Sequence, residues 1–283
     1  MRKYMVGVLQ LDSQQDKEAN LKTICQFIDE AASKGAKLIT MPENMHCIGE
    51  SIGNGGPREE TIPGYSIGIL QEKAKEHGLY IHCGSISEKR EGEAKYYNTT
   101  VFLNPKGEIL AKYRKLHTFD VTLPDGTEHR ESDRVMPGKE IVDLQTELGH
   151  FGFSICYDIR FPELFRVLAL RGAEVLFTPA NFTVPTGKDH WEPILRTRAI
   201  ENGCYVIAAA QIGKKPAMDA FGNSMVIDPW GTVIARAKNE PCVTMAEINL
   251  DDVSKVRGQI PSLKNRRTDI YGICELTLDK RIL

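Results

Sequence analysis

Three reactive side chains stand at marked places in this chain. Cys156 lies in "FSICYDIRFPE" (residues 153–163), where an apolar run meets charged residues and Pro162. Glu43 lies in "MPEN", and Lys115 in "KYRKLH". On type alone each has an ordinary reading: a free cysteine is a small core hydrophobe, Glu43 a solvated loop acid and Lys115 a surface charge. Together they form a coherent chemical set. A thiol is mostly protonated at neutral pH and needs a base or a nearby cation before it attacks. Glu43 could take that proton and later activate water. Lys115 could stabilise the anion that develops on a carbonyl oxygen or nitrile nitrogen, together with the backbone N–H of Tyr157. The choice between these readings depends on the elements that carry the three residues.

Those elements occur twice. "GAKLITMPEN" (35–44) matches "GAEVLFTPAN" (172–181), with Pro42 and Asn44 over Pro179 and Asn181. "ILQEKAKEHGLYI" (69–81) matches "ILRTRAIENGCYV" (194–206), and "LNPKGEILAK" (103–112) matches "IDPWGTVIAR" (227–236). Three matches in the same order indicate a duplicated half-domain.

In the first half, a strand near Met5–Gln10 precedes a helix over Asp16–Ser33, with Leu21, Ile24, Ile28 and Ala31 at helical spacing. A strand at Lys37–Met41, a helix over Ser66–His77 stopped by Gly78, a strand at Leu79–Cys83 and a hairpin at "NPKG" follow. The second half repeats this order. It has strand Phe151–Cys156, helix Pro162–Arg171, strand Glu174–Thr178, helix Asp189–Asn202, strand Cys204–Ala210 and a hairpin at "DPWG". Alternating strands and helices call for an α/β sheet. Two such halves, each with helices on one sheet face and the other face buried against its twin, predict a four-layer α-β-β-α sandwich. The expected organisation is a single domain over residues 1–273 with a tail at 274–283. The segment between the halves, about Arg114–Gly138, reads as a loop.

The halves differ where chemistry could sit. Glu43 has Ala180 as its counterpart, Lys115 falls opposite Asn239, and Cys156 opposite about Leu11. An acid, an amine and a thiol thus each occur in one copy only, each after a strand. Strand ends of open α/β sheets are where ligand crevices form.

The segments "MPEN", "KYRKLH" and "ICYDIRFPEL" resemble the three catalytic motifs of the nitrilase superfamily of carbon–nitrogen hydrolases. The resemblance runs from about Tyr4 to Tyr271. It implies a Glu43–Lys115–Cys156 triad, a thioester intermediate, neither metal nor organic cofactor, and a homodimer of paired sandwiches. A further family acid maps onto Glu131 of "RESDRVMPG", where it would orient Lys115 or the substrate. "CYDIRFPEL", "TGKDHWEPILRTRAIENGCYVIAAAQ" and "GNSMVIDPWGTVIA" look most like the Nit branch, which implies an amidase on small carboxylate-bearing ω-amides. By the same resemblance Arg160, Phe182 and Thr186, with Tyr157, line the pocket. A guanidinium fork suits a carboxylate, although Arg160 could equally pair with Glu163 or Asp158. The loop "CIGESIGNGGPREET" is particular to this chain and could reshape the site. His190 and Trp191 read as packing at a helix start.

Composition bounds the alternatives. Hydrophobic residues make up 41% and charged residues 26% of the 283, as in ordinary globular proteins. The net charge of -2, with no run of Lys and Arg, argues against a nucleic-acid partner. No apolar stretch has spanning length and no signal peptide is expected, so no membrane partner is implied. Seven cysteines without a C-x-x-C, and seven dispersed histidines, fit a reducing cytoplasm better than a disulfide framework or a zinc site. Three competitors stay open: an N-carbamoyl amino-acid hydrolase with the same triad, a papain-like Cys–His hydrolase, and a non-catalytic interaction protein. The papain-like reading needs a histidine beside Cys156, and the nearest in sequence, His150, lies about 19 Å away along a strand.

Overall fold

The structure is a computed structural model and describes residues 2–273 apart from 51, 53–55, 123–125 and 127. The expected tail at 274–283 lies outside the described residues. The first half comprises β1 (Lys3–Gln10), α1 (Lys17–Ser33), β2 (Ala36–Thr40), α2 (Tyr65–His77), β3 (Tyr80–His82), β4 (Ile86–Glu88), β5 (Tyr97–Leu103) and β6 (Ile109–Arg114). The short pair β7 (Asp120–Thr122) and β8 (Glu128–Arg130) follows, then β9 (Asp143–Thr146). The second half comprises β10 (Gly149–Phe153), α3 (Pro162–Leu170), β11 (Val175–Phe177), the single turn α4 (Val184–Thr186), α5 (Glu192–Asn202) and β12 (Tyr205–Ala208). After it come β13 (Ile212–Lys214), β14 (Asp219–Phe221), β15 (Met225–Ile227), β16 (Val233–Arg236), β17 (Cys242–Asn249) and α6 (Asp251–Gln259).

The duplication is built into both sheets. One runs β17-β1-β2-β3-β5-β4 with β6 also on β5, and the other β9-β10-β11-β12-β15-β16. In each, three parallel strands are continued by an antiparallel hairpin. The outer strands cross over: β9, which follows the first half, edges the second sheet, and β17, which follows the second half, edges the first. Each half therefore depends on the other for a complete sheet.

Alternation along the strands sorts side chains between two cores. Leu9, Ile39, Ile81 and Val101 meet Leu21, Ile24 and Ile28 of α1 and Ile67 and Leu70 of α2. Val6, Val8, Leu38 and Phe102 point the other way, into a core shared with Phe151, Phe153 and Phe177 of the second sheet. There the ring centroids of Phe102 and Phe151 are 5.1 Å apart, and His82 stacks on Phe177 at 4.4 Å. Such ring pairs add about 0.5–1.5 kcal/mol each beyond area burial. The architecture is the expected α-β-β-α sandwich. Two glycines at matching places, Gly7 and Gly152, let helices approach the sheets. A Cβ there would come within 2.8 Å of Ala31 on α1 and 3.1 Å of Leu168 on α3 respectively.

Three sequence expectations change. The strand expected over Phe151–Cys156 ends at Phe153, where the chain turns toward Cys156. The segment between the halves is more than a loop, since it holds β7, β8 and a 3-10 turn at Glu131–Asp133. The last helix of the second half begins as a π turn over Gly187–Trp191 before α5. Pro193 sits in the first turn of α5, where its missing N–H costs no helical bond.

Candidate active site

The three reactive residues arrive from different strands. Glu43 follows β2, Lys115 directly follows β6, and Cys156 follows β10 by three residues. The strand ladder is prolonged past Phe153 by Ser154 N–H donating to Phe177 O at 3.1 Å and Cys156 N–H donating to Pro179 O at 2.9 Å. Between them, Ile155 N–H donates to Asp158 Oδ2 at 2.8 Å. Cys156 itself turns into the left-handed region, with φ of 48°. A residue with a Cβ there costs about 1–3 kcal/mol and is held only by its surroundings. The turn ends the strand abruptly and aims Sγ at the facing half.

At that point the halves meet. Lys115 Nζ donates to Glu43 Oε1 at 3.2 Å and to Glu131 Oε2 at 2.8 Å. Glu43 is fixed from two more sides: Asn98 Nδ2 donates to Oε1 at 2.7 Å and Asn181 N–H to Oε2 at 2.8 Å. Glu131 also accepts from Phe119 N–H at 2.6 Å. Glu43, Lys115 and Cys156 are 4%, 2% and 8% exposed, so their charges interact with little screening by water.

The electrostatics favour an internal proton transfer. Burial and the Glu43 carboxylate push the Cys156 thiol well above its ordinary value, with Lys115 opposing them. The thiol is hydrogen-bonded to Glu43 and faces the Asn181 N–H. Burial works against the Lys115 charge, but Glu131, Glu43 and Cys156 together hold its pKa well above the usual lysine range. With the thiol protonated, the cluster of one ammonium and two carboxylates carries one net negative charge. Losing the thiol proton to solvent would double it, whereas handing that proton to Glu43 leaves it unchanged.

The site opens into a cavity of about 570 Å³. All eight site residues read from the sequence line it: Glu43, Lys115, Glu131, Cys156, Tyr157, Arg160, Phe182 and Thr186. Arg160 makes neither acid pairing considered from the sequence. Its guanidinium lies 5.4 Å above the Phe182 ring and 3.4 Å from His190 Nδ1, while Asp158 is bound elsewhere. Trp191 is fully buried and donates to Asn223 O, as a packing residue should, but His190 is exposed beside Arg160. His150 is paired with Asp143 at 2.6 Å and does not take part in the cluster.

Sequence reasoning missed several lining or supporting groups. Asn98 gave no signal, as one polar residue in "YYNTT". Asn181 was visible as the partner of Asn44 in the repeat, and both line the cavity. Arg58 and Arg134 also line the cavity, and no motif around either singles it out in the sequence.

A duplicated α-β-β-α sandwich in which a thiol, a carboxylate and an ammonium converge after the strands is the architecture of the nitrilase superfamily. The chain belongs to the carbon–nitrogen hydrolase family, whose model matches residues 5–258, and it is an amidase-type enzyme. It is 42% identical over 270 residues to a deaminated glutathione amidase of Synechocystis sp., covering 94% of this chain and 99% of that one. It is 40% identical over 276 residues to an omega-amidase of Danio rerio, covering 96% and 98%. The solved NitFhit protein of C. elegans superposes with a TM-score of 0.87 at 34% identity, covering 96% of this chain and 67% of that one. Among the described residues no helix is long and apolar enough to cross a membrane.

Proposed function

We propose that this enzyme hydrolyses small ω-amides bearing a carboxylate near the scissile bond, of the deaminated glutathione or 2-oxoglutaramate type, through a thioester on Cys156. The observation that carries this reading is the convergence of Glu43, Lys115 and Cys156 in one cavity that also holds Arg160 clear of any described carboxylate. The names of the two relatives agree with it in substrate class.

Glu43 takes the Cys156 proton as Sγ attacks the amide carbon. Negative charge then builds on the former carbonyl oxygen, where Lys115 Nζ and the Tyr157 N–H receive it. Collapse of this intermediate breaks the C–N bond, and the proton held by Glu43 goes to the departing nitrogen. Water enters, Glu43 removes its proton, and attack on the thioester carbon breaks the C–S bond; Glu43 returns the proton to Sγ as the acid leaves. Glu131 holds Lys115 in place and in its charged form. Arg160 pairs with the substrate carboxylate, with Phe182 and Thr186 beside it. The homodimer and the cytoplasmic setting are part of the same reading and rest on the family resemblance and on the free cysteines.

The test compares kcat/KM for a 2-oxo ω-amide and its methyl ester. A pocket built around a carboxylate rejects the neutral analogue, because its own cation is left unpaired. The wild type should strongly prefer the charged amide, and Arg160→Ala should narrow the gap. Equal values in the wild type would refute the carboxylate reading.

A further inference from the structure

Asp158 has no exposed surface, yet it is the acceptor for four donors from two separate segments. On the nucleophile side, Ile155 N–H donates to Oδ2 at 2.8 Å. On the other side, the Tyr113 hydroxyl donates to Oδ2 at 2.7 Å, while His117 N–H at 3.1 Å and His117 Nδ1 at 2.6 Å reach Oδ1. Tyr113 in turn accepts from Leu116 N–H at 3.3 Å. The two residues after Lys115 and the residue before Cys156 are thus tied to one carboxylate. The His117 ring is also stacked 3.5 Å from Phe161, at the far end of the turn that begins with Cys156. Two segments some 40 positions apart in sequence are joined here, and each carries one reactive group.

We infer that Asp158 is a positioning residue that sets the placement of Lys115 relative to Cys156, acting through the backbone on both sides and touching no substrate. The inference rests on the roles proposed above for those two residues. A carboxylate suits the task because every group facing it is a donor. An amide of the same shape would bring an NH2 against a backbone N–H, and a buried mismatch of this kind makes the segments move apart. Misplacement of about 1 Å costs on the order of 10²-fold in rate. The loss should fall on kcat, since Asp158 lies behind the site.

The experiment is a double-mutant cycle of Asp158→Asn with Lys115→Ala, read in kcat and KM on a 2-oxo ω-amide. In the otherwise native enzyme, Asp158→Asn should lower kcat on the order of 10²-fold, with KM within about threefold. In the Lys115→Ala background it should cost less than about threefold, because the relationship it maintains is already gone. Losses that multiply, or a kcat unaffected by Asp158→Asn, would overturn the assignment and leave Asp158 as scaffolding alone. If Asp158→Asn does not fold, Tyr113→Phe releases Leu116 and is run through the same cycle. It should show the same pattern at about tenfold, and multiplying losses would again refute it. If the wild type cleaves no such amide, the substrate reading fails but the cycle does not. It is then read in the rate of Cys156 alkylation by iodoacetamide, with the same non-multiplying pattern expected.

Discussion

The Glu43 carboxylate and the Lys115 ammonium meet at 3.2 Å, with both side chains almost wholly out of water. They act on the Cys156 thiol in opposite senses: Glu43 holds its proton on and Lys115 favours its release. This opposition makes their roles separable. Glu43→Gln should lower kcat by about 10²–10⁴-fold as a lost base, and Lys115→Ala by about 10²–10³-fold as a lost oxyanion donor. The pH midpoint of Cys156 alkylation should nevertheless fall in Glu43→Gln and rise in Lys115→Ala. Midpoints that move together, or a change in KM alone with kcat preserved, would show that the roles are assigned wrongly.

Glu131 stands behind Lys115, without contact to the thiol among the bonds described. Glu131→Gln should therefore leave Cys156 alkylation within about threefold while amide turnover falls on the order of 10²-fold, the scale of a misplaced oxyanion donor. Unchanged turnover would leave Glu131 as a structural partner of Lys115 with no part in the reaction.

Much of this site was legible because duplication supplies its own control. Cys156, Glu43 and Lys115 stood out as places where one copy departs from the other, and the family motifs fell on the same residues. The long amphipathic helices are equally plain in the sequence: the expected bounds of α1 and α2 lie within a residue of the observed ones at each end. Gly78 and Gly203 mark the ends of α2 and α5 at matching positions, both in the left-handed conformation. What stayed hidden depends on tertiary partners. The strand expected over Phe151–Cys156 ends at Phe153, because the left-handed turn at Cys156 is imposed by Pro179 O and Asp158 rather than by local propensity. The edge strands β9 and β17 pair with the opposite half, so their places in the sheets cannot be read from their own segments. Asn98 acquires meaning only where Glu43 reaches it across the sheet.

Away from the active site, stability in acid should report on Glu88. Burial alone would raise its carboxyl, but hydrogen bonds from Arg114, Lys112 and Thr99 prevail and hold its pKa at about 2. Because the folded value lies below that of the unfolded chain, the contribution is complete above about pH 4.5. It is lost as pH falls toward 2. Glu88→Gln should cost about 2–3 kcal/mol at pH 7, and the gap from wild type should close through that window in urea titrations. A gap independent of pH from 7 to 2 would assign the loss to packing instead of charge.

The central claim is that a covalent bond forms on Cys156, and it is tested most directly by mass spectrometry of enzyme quenched during turnover of a 2-oxo ω-amide. Glu43→Gln should slow thioester hydrolysis enough to let the adduct accumulate. The account predicts an added mass equal to the acyl portion, on the peptide containing Cys156 and on no other of the seven cysteines, and no turnover in Cys156→Ala. An acyl group on a different residue, or amide hydrolysis that persists in Cys156→Ala, would contradict it.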